Sequence, residues 1–141
     1  MQQRKTPFGY ILVLDRGEEL LRSLIEFARH NDIDAATLHG IGAVDRIELG
    51  YYRLATQEYE RRTFIEPLEV CSLVGNLSLL DGEPLPHVHG TFGRADFTTV
   101  GGHIFEAVCS VSLEISVHVL PEPMHRGAVD FCNLKLLKLD Q

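Results

Sequence analysis

Ser110-Val-Ser-Leu-Glu-Ile-Ser-Val-His-Val-Leu120 alternates apolar and polar residues at every step: Val111, Leu113, Ile115, Val117 and Val119 oppose Ser112, Glu114, Ser116 and His118. A period of two marks a strand with one buried face, because successive strand side chains point to opposite sides. Outward from this stretch the texture persists. Residues 57–65, 68–78, 86–92, 95–100, 104–108 and 128–138 read as further strands. Pro67 separates the first two, Asp81-Gly-Glu-Pro84 is a turn, and Pro121-Glu-Pro-Met-His125 breaks 110–120 from 128–138. Toward the N-terminus, Ala35 to Val44 is apolar with two glycines. Arg46 to Leu54 alternates, with Ile47, Leu49 and Tyr51 on one face and Arg46 and Glu48 on the other.

Only the beginning of the chain departs from this pattern. Residues 8–14 form a short continuous apolar run, the mark of a buried strand. Asp15 and Glu18 then stand at capping-box spacing. Leu20, Leu21, Leu24, Ile25 and Ala28 follow at helical spacing, opposite Arg22, Glu26 and Arg29. Acids at the start, Arg29 and His30 at the end, and Asn31 as a stop predict one amphipathic helix over 17–30. One early helix and many later strands imply an α+β fold, a mostly antiparallel sheet with the helix packed on one face. The sheet's other face needs cover as well, which a small domain finds in another copy of itself, so a homo-oligomer is expected.

The 141 residues suit one domain, 1–141, with its core at about 7–138. The net charge of −7 is spread evenly: nine bases against twelve acids in residues 1–70, and four against eight in 71–141. Binding of nucleic acid through its phosphates needs clustered Lys and Arg, so direct binding is disfavoured. Arg61-Arg62 lies among Glu58, Glu60 and Glu66 and reads as a mixed-charge face. Cys71, Cys109 and Cys132 form no C-x-x-C pair and sit in apolar stretches, as reduced thiols of a cytoplasmic protein do. The apolar run 8–14 is too short for a signal peptide and meets Asp15 rather than a cleavage site. No stretch approaches membrane-spanning length.

Chemistry concentrates in three histidines. Pro86-His-Val-His-Gly90 places His87 and His89 on one face of a strand, and His103 follows Gly101-Gly102. A hairpin around Gly93-Arg-Ala returns the chain, and the two glycines permit the backbone angles that turn His103 toward the pair. Three neutral nitrogens suit Zn²⁺, and also Ni²⁺, Co²⁺ or Fe²⁺, with a coordination position left for water or a small-molecule ligand. Cupins also carry His-x-His on a strand but need a glutamate where this chain has Gly93 and Arg94. Glu69 is the candidate catalytic base, partner of a histidine or additional ligand, set in strand phase with Cys71, Leu73 and Leu77; a carboxylate at the strand's wet end is its simpler reading. His39, in Leu38-His-Gly-Ile-Gly-Ala43, is a candidate substrate-binding residue lining a pocket. Gly40 and Gly42 there signal close backbone packing, since Asp45 replaces the third glycine of a dinucleotide motif and no helix follows. His30, His118 and His125 read as structural or solvent-facing.

Six segments in order, Gly17-Glu-Glu-Leu-Leu21, Gly40-Ile-Gly-Ala43, Leu49-Gly-Tyr-Tyr52, Glu69-Val-Cys-Ser-Leu73 with Gly75-Asn76, His87-Val-His89 and Gly101-Gly-His103, resemble the plants-and-prokaryotes conserved (PPC) domain across residues 7–138. The resemblance implies an α+β fold around an antiparallel sheet, assembly as a homotrimer, and zinc held by His87, His89 and His103. In plants such domains are fused to AT-hook segments; no Arg-Gly-Arg-Pro hook occurs in this chain. Two functions stay open at this point. One is metal-dependent small-molecule chemistry. The other is a non-enzymatic oligomerisation or regulatory module, associated with DNA through partners.

Overall fold

The computed structural model describes residues 1–139. β1 (Gln2–Thr6) and β2 (Gly9–Asp15) form a hairpin, followed by α1 (Leu20–His30). Then come β3 (Ala36–Arg53), β4 (Glu58–Leu80), β5 (Glu83–Gly93), β6 (Thr99–Val119), β7 (His125–Val129) and β8 (Cys132–Lys138). Neighbouring strands run β1-β2-β6-β3-β4-β7-β8, and β5 pairs with both β4 and β6. Strands β3, β4, β5 and β6 therefore close into a ring of antiparallel pairs around the core. β5 and β2 share one edge of β6 in succession, β5 along 99–103 and β2 along 112–118. The β7–β8 hairpin joins β4 through one parallel contact, Leu79 with His125. None of the described helices is long and apolar enough to cross a membrane.

The sheet and its single helix meet the α+β expectation. Leu20, Leu24, Phe27 and Ala28 of α1 are buried, facing β5 and β6. Inside the ring they join Leu38, Ile47, Leu73, Leu77, Val88, Phe92 and Ile104. The helix starts later than its capping-box spacing suggests. The Glu18 carboxylate does accept from the Asp15 backbone N–H at 2.7 Å, but Glu19 is the cap, accepting from the N–H groups of Leu21 and Arg22 at 3.0 and 2.8 Å. Glu19 also accepts from Ala107 N–H at 3.3 Å, fixing the helix start to β6.

Several strands expected to be separate are continuous. The expected strands 57–65 and 68–78 merge into β4, which begins at Glu58, although Pro67 lies between them. The register with β3 slips between Val44 and Arg46, so Pro67 falls at an irregularity where no ladder N–H is needed. The expected strands 104–108 and 110–120 likewise merge into β6, which ends at Val119 and whose register with β3 shifts near Val44. That shift explains Val111, which is 73% exposed while Leu113, Ile115 and Val117 are buried. Tyr51 also departs from its expected burial, lying 65% exposed near the end of β3 beside Arg53. Residues 94–98 form a turn rather than the start of a strand, and 128–138 is split by a turn at Asp130-Phe131 into β7 and β8. Cys109 and Cys132 are buried small hydrophobes, whereas Cys71 is exposed.

Candidate metal centre

His87 and His89 alternate with Pro86, Val88 and Gly90, which are buried in the core. Period-two geometry therefore sends both imidazoles to the outer face of the ring. The β5–β6 turn, held by Arg94 N–H to the Thr98 carbonyl at 2.9 Å, brings His103 directly opposite His89. The twin glycines let the backbones come together: a Cβ at Gly102 would stand 2.7 Å from the Gly50 carbonyl oxygen and one at Gly101 2.9 Å from that of Gly90. Across β5, Gly75 serves the same end, since a Cβ there would lie 2.2 Å from the His87 carbonyl oxygen. The three ring centroids are 5.1, 5.1 and 5.3 Å apart. One nitrogen from each ring lies within 4.8 Å of the others.

Burial holds the rings neutral. The His87 pKa falls to about 4, first through loss of solvent and then through the nearby Arg126 charge and His89. His103 is likewise pulled down to about 4 by burial, with His87, His89 and the Arg61 and Arg126 charges adding to it. Burial also lowers His89. Neutral imidazole is the form that offers a lone pair to a metal. His103 packs against both Tyr59 and Phe105, at 5.2 and 4.7 Å between centroids, and its buried Nδ1 has no hydrogen-bond partner among the described residues. Three converging imidazoles, one of them carrying a buried ring nitrogen without a partner, fit a divalent transition ion.

Arg126 of β7 completes the surroundings. Its guanidinium donates to Ser78 Oγ, Asn76 Oδ1 and the Lys135 carbonyl at 2.9, 2.9 and 3.1 Å, and to His87 Nδ1 at 3.0 Å. Beside it is a cavity of about 210 Å³, open to His87 and His103 and walled by Leu80, Leu85, Leu134 and Leu136. Sequence reading missed Arg126 because its side-chain partners, Ser78, Asn76 and His87, lie 39 to 50 residues away. The only local sign is a lone cation in an otherwise uncharged stretch, Met124 to Val129, which has no acid to pair with it.

The remaining candidates lie apart from the three rings. Glu69 is exposed, between Ala43 and Gly93 in the sheet. A register shift between Val70 and Ser72 takes it and Cys71 out of phase with the buried Leu73 and Leu77. His39 shares the outer face with His89, but Val74 of β4 stands between them, a gap of roughly 10 Å at ordinary strand spacing. It lines a shallow depression of about 450 Å³ with Ile11, Ile41, Cys71 and Val74.

This fold recurs in known proteins. The chain belongs to the Plants and Prokaryotes Conserved (PCC) domain family, whose model matches residues 1–121. A metal-containing protein from Archaeoglobus fulgidus has a similar crystal structure, with 33% identity, a TM-score of 0.86, and coverage of 99% of this chain and 100% of that one. A plant- and prokaryote-conserved protein from Pyrococcus horikoshii is similar at 28% identity and TM-score 0.85, covering 99% and 95% of the two chains. A proposed DNA-binding protein from Bacteroides thetaiotaomicron reaches TM-score 0.95 at 26% identity, covering 99% and 98%. No curated protein matches the chain in sequence.

Proposed function

We propose that this chain is a cytoplasmic, homotrimeric metalloprotein whose His87, His89 and His103 hold one divalent ion, zinc before other transition metals. The observation that carries the reading is the convergence of three ring nitrogens, one from each imidazole, within 4.8 Å of one another. Three protein ligands leave a coordination position for a small molecule, and zinc so held supplies Lewis acidity and a water acidified toward a pKa of ~7. The chain's own contribution is to keep the imidazoles unprotonated and to place a cavity with Arg126 beside them. The metal-containing relative from Archaeoglobus fulgidus supports this reading.

Self-association is supported by the outer face around His39. Ile41 and Val74, on the neighbouring strands β3 and β4, are 58% and 45% exposed there, and Ile11 of β2 is 39% exposed across β6, whose Glu114 and Ser116 lie between. A non-enzymatic, DNA-associated role is the second reading, favoured by the name of the Bacteroides thetaiotaomicron relative. The charge of −7 then requires a basic partner to make the phosphate contacts.

Zinc titration by calorimetry tests the leading reading. Metal-free protein without a histidine tag is expected to bind one zinc per chain, and His87→Ala, His89→Ala and His103→Ala each to weaken it by at least about tenfold. Unchanged affinity in all three variants would remove the site.

A further inference from the structure

A neutral imidazole has one lone pair in the ring plane and one N–H. Arg126 can only donate, so its 3.0 Å contact uses the lone pair of His87 Nδ1 and leaves the proton on Nε2. An ion on His87 needs that same lone pair. Bound at Nδ1, it displaces the guanidinium; bound at Nε2, it turns Nδ1 into a donor facing another donor. Either way, loading the site releases Arg126 from His87. The released guanidinium has no carboxylate to turn to, because it forms no ion pair among the described residues and no acid lines the adjoining cavity.

That cavity collects positive charge in an acidic protein. Arg126 and Lys135 both line it, and a divalent ion would add to them. Leu80, Leu85, Leu134 and Leu136 make the walls apolar, and about 210 Å³ is below the usual range for drug-sized ligands. The occupant is therefore small, anionic at one end and aliphatic at the other. A planar guanidinium matches a carboxylate fork to fork.

We propose that metal loading frees Arg126 to clamp a small branched aliphatic carboxylate in the cavity beside His87 and His103, so that metal and carboxylate bind cooperatively. This inference rests on the three-histidine metal reading above. Coupling between the two ligands is reciprocal: the acid strengthens zinc binding by the factor by which zinc strengthens binding of the acid.

The test is zinc titration of the untagged protein, alone and with saturating isovalerate, isovaleramide or inorganic phosphate. Isovalerate is expected to tighten zinc binding about tenfold or more, as one charge-assisted contact allows. Isovaleramide, of the same shape without the charge, and phosphate, charged without the aliphatic body, should have less than a third of that effect. Arg126→Gln should abolish the isovalerate effect. Because Arg126 also braces β4 and β8, a wild-type reading stands beside the variant: the Arg126 Nε–H proton resonance should shift on adding isovalerate to the zinc form. Zinc binding indifferent to isovalerate, equal effects of the amide or phosphate, or a full effect persisting in Arg126→Gln would overturn the inference while leaving the metal site intact. No zinc binding under any condition would overturn both.

Discussion

His87 and His103 each give up solvent to meet the other two rings, and that choice shows in their acid–base behaviour. Their folded pKa values, about 4, lie below the ordinary 6.5, so between those values the unfolded chain binds more protons than the folded one. The stability this contributes is complete above pH 6.5 and is lost as pH falls through about 4. Urea unfolding of metal-free protein should therefore show falling stability from pH 6.5 to 4, with part of the slope removed in His103→Leu. A slope unchanged by the substitution would place the titration elsewhere. At this scale the sequence was informative wherever one local rule decided the outcome. His-x-His on a strand puts two rings on one face wherever the strand lies, and Gly101-Gly102 signals a backbone free to turn His103 toward them. Arg126 was silent because its role depends on which distant strands β7 meets, and Glu69 misled because a shift in register at Val70 and Ser72 reverses its phase.

At the scale of elements, the sequence named the one helix but placed its beginning three residues early, at 17 rather than Leu20. The Glu18 carboxylate turns back to the N–H of Asp15, whereas Glu19 accepts from the helix N–H groups of Leu21 and Arg22 and also from Ala107 of β6. Glu19→Ala is expected to lower unfolding stability by about 1 kcal/mol for the lost cap. Glu18→Ala should have the smaller effect, and chemical denaturation of the two variants checks the order; the reverse order would contradict Glu19 as the cap. The strands show the opposite difficulty. A proline such as Pro67 ordinarily ends a strand, and a glycine pair such as Gly40 and Gly42 ordinarily marks a loop. Here both sit at register slips inside strands of 23 and 18 residues. Bulges bend a long strand around the core without breaking it, and nothing local distinguishes such a bend from an end.

At the scale of the whole molecule, ring closure puts the site on the outer face. Core residues Val88, Phe92 and Ile104 fill the inside, so the alternate positions carrying His87, His89 and His103 have to face out. Cover comes from the β7–β8 hairpin, which supplies Arg126, Leu134 and Leu136 to the cavity. The same closure leaves Ile41 and Val74 exposed beside His39, where the proposed assembly would bury them. Sedimentation equilibrium is expected to give a trimer for the wild type and a monomer for Ile41→Glu combined with Val74→Glu. A trimer that survives both charges would move the contact to another face.

The most direct measurement of the central claim is a crystal structure of the untagged protein with anomalous data at the zinc edge. The account predicts one anomalous peak per chain, with nitrogens of His87, His89 and His103 at about 2.0–2.1 Å and Arg126 turned away from His87. An ordered trio of imidazoles around a water, with no anomalous scatterer and Arg126 still bonded to His87, would contradict it.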